Sequence, residues 1–142
     1  MTIDRELVTR KLLLVTADIE SLAAIRDNGP NAYLTNSIDQ AVVERRLERA
    51  VGWMIDINYR VITASGHPPP ADYHASFLKL GEIGVLDPEC ARRIARAAGL
   101  RNRLVHDYED LDPGKVFDAL GDALRDVPIY LARVNQYLKA AP

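Results

Sequence analysis

The segment Arg101, Asn102, Arg103, Leu104, Val105, His106, Asp107, Tyr108 holds, at short fixed offsets, the residue types that grip phosphate and move protons. An arginine can hold two phosphate oxygens at once and offset charge that builds up during displacement, while a histidine changes protonation near neutral pH. Together they suffice for metal-free cleavage of RNA. The substrate's own 2'-hydroxyl attacks the adjacent phosphorus, so the protein needs only to transfer protons and stabilise charge. On this reading Arg101 and His106 are catalytic, with Asn102 in support and Tyr108 orienting the substrate. On a helix Arg101 and Tyr108 share one face and Asn102 and His106 the adjoining one, and a helix that frays near Asp107 would free His106 to turn toward the same pocket. Taken singly, the three groups also fit a core tyrosine, a helix-capping histidine and a surface arginine. As a set they are rarer: with 14 Arg, 3 His and 6 Tyr in 142 residues, a chance Arg-x4-His-x-Tyr match has a probability of ~1 %.

Upstream of that segment the charge is segregated. Arg92, Arg93, Arg96, Arg101 and Arg103 fall in a stretch without an acid, whereas Asp107, Glu109, Asp110, Asp112, Asp118, Asp122 and Asp126 follow it. Arg92, Arg93, Arg96 and Arg103 are therefore the candidate RNA-binding groups: helical steps of four and seven put Arg92, Arg96 and Arg103 within about one face, and Arg93 shares a stripe with the edge of Arg101. The alternative is that they pair with carboxylates elsewhere on the surface. The formal net charge is only -2 and the pI about 5.9, so any nucleic-acid site must be local.

These residues need a scaffold, and the apolar pattern predicts a helical one. Apolar residues recur at three- and four-residue steps and alternating β-branched runs are missing. The first helix, about 4–27, carries Leu12, Val15, Ile19, Leu22 and Ile25 on one stripe and stops at Asn28, Gly29 and Pro30. A second, about 38–65, is N-capped by Ser37, buries Val43, Leu47, Ala50, Met54, Ile57 and Val61, and ends at Gly66 before a stiff connector of Pro68, Pro69 and Pro70. A short third helix spans about 71–84. Asp87 before Pro88 and Asp112 before Pro113 each look like a capping carboxylate ahead of a proline at the first helical position, starting helices near 88 and 113. In the last helix Val116, Leu120, Leu124, Val127, Leu131, Val134 and Leu138 keep the spacing of a bundle or dimer seam, and Pro128 should kink it. The expectation is all-α: one domain over 1–142, an antiparallel bundle of four long helices plus one short one.

With the motif and this helix order in hand, the chain resembles the HepT-like toxins of the HEPN superfamily. Their Arg-x4-His-x-Tyr motif is matched by Arg101, Asn102, Leu104, Val105, His106 and Tyr108, and the resemblance spans essentially the whole chain. It implies a HEPN-like fold and a metal-independent endoribonuclease, the toxin of a toxin–antitoxin pair, acting on mRNA or tRNA as a homodimer whose two motif segments face each other. It also implies a cognate minimal nucleotidyltransferase antitoxin that transfers AMP from ATP to Tyr108, placing a phosphate where RNA would sit. A second function class stays open, a non-catalytic helical protein of the same fold that binds a nucleotide or that partner. A third is an adaptor whose seam serves only oligomerisation.

Other residues carry less. Cys90 reads as a small buried hydrophobe, His67 and His74 as loop or surface groups without metal-ligand spacing, and Trp53 with Met54 as core or interface. Neither metal nor cofactor is expected. One cysteine, no signal-like apolar run and no membrane-length apolar stretch point to the cytoplasm.

Overall fold

The computed structural model describes residues 2–141, and of Tyr108 the backbone only. The elements are α1 (Arg5–Asp27), α2 (Pro30–Leu34), α3 (Ser37–Ala64), α4 (Tyr73–Glu82), α5 (Pro88–Ile94), α6 (Arg96–His106), one 3-10 turn (Tyr108–Asp110) and α7 (Pro113–Ala140), with no strand among the described residues. None of the helices is long and apolar enough to cross a membrane.

Helix α3 is the axis of the bundle and packs against α1, α2, α4, α6 and α7. Its six expected core residues are buried, and Val51, Ile55 and Ile62 extend the apolar surface well beyond one stripe because neighbours cover it on several sides. Helix α1 runs antiparallel to α3, as Lys11 meets Asp56 and Asp18 meets Arg49. It also runs antiparallel to α7, where Arg26 reaches the Phe117 carbonyl. Five residues of the expected α7 seam are buried within this chain, joined by Phe117 and Tyr130, while Leu124 and Leu131 lie at its edge. Most of the seam is thus spent on the chain's own core.

Local chemistry sets the ends of the helices. Asp4 caps α1 and Asp112 caps α7, the latter accepting from Gly114 N and Lys115 N. Both α3 and α4 end in the same six-residue closure. His67 N reaches Ile62 O and Val85 N reaches Leu80 O, with Gly66 and Gly84 at φ 87° and 86°, where a side chain would be strained.

Four details differ from the sequence expectation. The cap of α3 is Asn36, whose side chain accepts from Ile38 N and Asp39 N, so Ser37 is the first helical residue. Asp87 makes no side-chain capping bond; Pro88 starts α5 through its fixed φ alone. Helix α2 was not foreseen, because five residues are too few to show a period. The helix expected from 88 is two, broken at Ala95, where Ala98 N bonds the Ala95 carbonyl in a tighter i to i+3 step. Helix α7 carries the exposed Pro128 inside it without a break in the helix.

One hydrogen-bonded chain crosses the core. The Tyr130 hydroxyl, fully buried, donates to Asn58 Oδ1 at 2.6 Å with the Met54 carbonyl at 3.1 Å, Asn58 Nδ2 donates to Ser76 Oγ at 3.0 Å, and the Ser76 hydroxyl donates to the Tyr73 carbonyl at 2.6 Å. Burial pushes the Tyr130 phenol well above its usual pKa, so it stays a donor. The equally buried Tyr33 hydroxyl has no partner among the described residues. The two tyrosines should therefore respond oppositely to loss of the hydroxyl. Tyr130→Phe strands Asn58 and should destabilise by about 1–3 kcal/mol, whereas Tyr33→Phe should be neutral or slightly stabilising, as read by urea denaturation.

Candidate functional site

Helix α6 carries the chemistry, and Leu100 and Leu104 anchor it by facing the core. That register turns Arg101 toward α3 and α4. Its guanidinium carbon lies 5.4 Å from the centre of the Tyr73 ring, and its Nε is buried without a hydrogen-bond partner among the described residues. Gly52, Ile55, Asp56, Tyr59 and Tyr73 complete a cavity of about 350 Å3 around it. The Tyr59 and Tyr73 rings meet edge to face at 6.3 Å, and the Tyr59 hydroxyl points to the Pro70 carbonyl at 3.4 Å.

The helix ends at His106, and Asp107 leaves it with φ -119° and ψ 28° while its N–H still bonds the Arg103 carbonyl. The expected end near Asp107 is present. His106 and Asn102 are exposed, however, and neither lines the Arg101 cavity. Five helical positions separate Arg101 from His106, about 140° of rotation, so one copy of the chain presents them on different sides of α6. The Tyr108 side chain, the expected AMP acceptor, lies outside the described residues.

The other arginines divide. Arg93, Arg96 and Arg103 border a second cleft, about 260 Å3, between α6 and α7 over a floor that includes Leu47, Val51 and Met54, whereas Arg92 is exposed and outside its lining. Arg93 is engaged: it lies 3.5 Å from both Glu89 and Asp126. Asp126 is further held by Arg125 through two contacts of 2.9 Å. Arg96 and Arg103 make no ion pair among the described residues. Arg103 and Lys115 share a hollow with Asp107, Asp110 and Asp112, so the acidic flank of the motif meets two cations.

Sequence reasoning missed Tyr73, Tyr59 and Asp56 as site residues. Tyr73, three residues past the triproline connector, was the one local signal among them. His74 is exposed and His67 half-buried, and Cys90 is buried with its thiol pushed up by desolvation, which keeps it protonated and inert. Among the described residues no group of three or more His, Cys, Asp or Glu could hold a metal ion.

Residues 15–134 match the family described as Ribonuclease HepT-like. The chain is 33 % identical over 136 residues to a tRNA nuclease HepT of Aphanizomenon flos-aquae (strain 2012/KM1/D3), covering 96 % of this chain and 92 % of that protein. Its fold is similar to a crystal structure of a toxin–antitoxin with AMP-PNP, at a TM-score of 0.84 and 19 % identity over 93 % of this chain and 99 % of the other. It is also similar to YutE, a cytosolic protein of unknown function from Bacillus subtilis, at a TM-score of 0.80 and 19 % identity over 99 % and 94 %.

The Arg93, Asp126, Arg125 cluster ties α5 to α7 beside the second cleft. The Arg125 hydrogen bonds, against the opposing effect of burial and with help from Arg93, hold the Asp126 carboxyl below its usual pKa. A depressed carboxylate stabilises the fold fully above the ordinary aspartate range, near about pH 4, and that stabilisation is lost as pH falls through the lower folded value. Asp126→Asn should accordingly melt lower than the parent at pH 7, and the gap should narrow as the pH is taken down toward 3 in thermal denaturation.

Proposed function

The chain belongs to the HepT-like ribonuclease family, and from that premise we propose that it is the toxin of a toxin–antitoxin pair, a metal-independent endoribonuclease acting on mRNA or tRNA, with tRNA the favoured substrate. The observation that carries this reading is Arg101: a guanidinium held against Tyr73, lining an open cavity and in no ion pair among the described residues, is a preset donor for a phosphodiester oxygen. His106, exposed one turn further on, is the proton-transfer group and Asn102 supports it. Arg96 and Arg103, in no ion pair among the described residues, guide the RNA backbone, and the exposed Arg92 extends that path along α5, where Arg93 is held by Glu89 and Asp126. The name of the 33 % identical relative, a tRNA nuclease, supports the choice of substrate.

Because Arg101 and His106 diverge on α6, a complete site calls for a second copy of the chain, with the two motif segments facing each other so that one copy's histidine serves the other's arginine. Control comes from a nucleotidyltransferase partner that transfers AMP to Tyr108. The bound phosphate then sits in the RNA's place beside Arg101, and its negative charge repels the substrate.

The purified protein should cut a tRNA or single-stranded RNA equally well with and without EDTA. Arg101→Ala and His106→Ala should each lower the rate by roughly 100-fold or more without lowering the melting temperature appreciably. RNA binding without cleavage by the parent protein would instead select the non-catalytic binding function. For the control step, intact mass after co-expression with a neighbouring nucleotidyltransferase should show added AMP that Tyr108→Phe abolishes.

A further inference from the structure

An arginine that must be held still and yet keep its charge faces a conflict. A carboxylate partner fixes the guanidinium but neutralises it and competes with an incoming phosphate. Arg101 makes no ion pair among the described residues, although Asp56 lines the same cavity. Asp56 is already occupied: Lys11 Nζ from α1 lies 3.1 Å and Arg60 Nε from α3 lies 2.8 Å from its Oδ2. What touches the Arg101 guanidinium instead is the face of Tyr73, 5.4 Å away, whose ring is propped by Tyr59 and whose backbone carbonyl is tied to Ser76. An aromatic face attracts a cation without cancelling its charge or taking up all its N–H donors.

We propose that Tyr73, together with the Lys11 and Arg60 pair that occupies Asp56, forms a positioning device that fixes Arg101 while keeping it free for a phosphodiester. Tyr73 supplies the seat, and the two cations keep the one carboxylate in the cavity lining from capturing the arginine. The proposal rests on Arg101 being the phosphate-binding group and concerns what keeps it available.

Two readouts test it. The first needs no RNA: the Arg101 Nε–H resonance in a 15N correlation spectrum, assigned by its disappearance in Arg101→Lys. In the parent it should be ring-current shifted and slow to exchange. Tyr73→Leu should remove that shift and Tyr73→Phe keep it. Lys11→Met/Arg60→Met should move the signal downfield as Asp56 bonds to it, and adding Asp56→Asn should return it. The second readout is the Kd, by fluorescence anisotropy, for a labelled 2'-O-methyl oligoribonucleotide, which cannot be cut. Tyr73→Leu and the double variant should weaken binding roughly three- to tenfold, with Tyr73→Phe and the triple variant close to the parent. Melting temperatures confirm that folded proteins are being compared. An Arg101 resonance that Tyr73→Leu leaves in place, or that the double variant does not move, overturns the proposal. An oligonucleotide that the parent binds no better than Arg101→Ala does would overturn the phosphate-binding role of Arg101, and the resonance alone would then decide the positioning.

Discussion

The buried chain of hydrogen bonds from Tyr130 through Asn58 and Ser76 to the Tyr73 carbonyl links α7, α3 and α4 at the centre of the molecule. Apolar contacts tolerate small slips between helices, but a buried donor moved by an ångström loses its partner at a cost of a few kcal/mol. The chain therefore sets how α4 sits on α3, and its last member carries the ring against which Arg101 rests. Core register and arginine placement are the same constraint seen at two ends.

A second pattern is the pairing of three carboxylates that lie against the core. Asp18 is held by Arg49 at 3.0 and 2.5 Å, Asp56 by Lys11 and Arg60, and Asp126 by Arg125 and Arg93. Each pairing joins elements of the scaffold or steadies their facing surfaces. Once these are made, α6 is left with Arg96, Arg101 and Arg103 outside any ion pair among the described residues. In a chain of net charge -2, α6 thus carries three arginines and no acidic residue.

Much of this was legible in the sequence. The stripes of α1, α3 and α7 follow the helical period because each faces the core along its whole length, and the Arg-x4-His-x-Tyr spacing is visible because its members are neighbours in the chain. What escaped was set by tertiary context. The break at Ala95 involves neither proline nor glycine at that position, so no local residue marks it. Asp87 and Asp112 precede proline in the same way, yet only Asp112 caps. Tyr73, Tyr59 and Asp56 reach Arg101 only because α3 and α4 fold against α6. The divergence of Arg101 and His106 follows from their five-residue spacing once α6 stays helical through His106, an end point that the motif alone does not reveal.

The triproline connector bears on all of this through the unfolded chain. Pro68, Pro69 and Pro70 have their φ angles set before folding begins, so the strap that delivers Tyr73 surrenders less conformational entropy on ordering than ordinary residues would. A surface connector is normally the first part of a bundle to fray on warming. Here the ring beneath Arg101 hangs from a segment that was never very free, and the arginine's seat should persist to temperatures at which a glycine- or serine-rich loop of the same length would already have let it go.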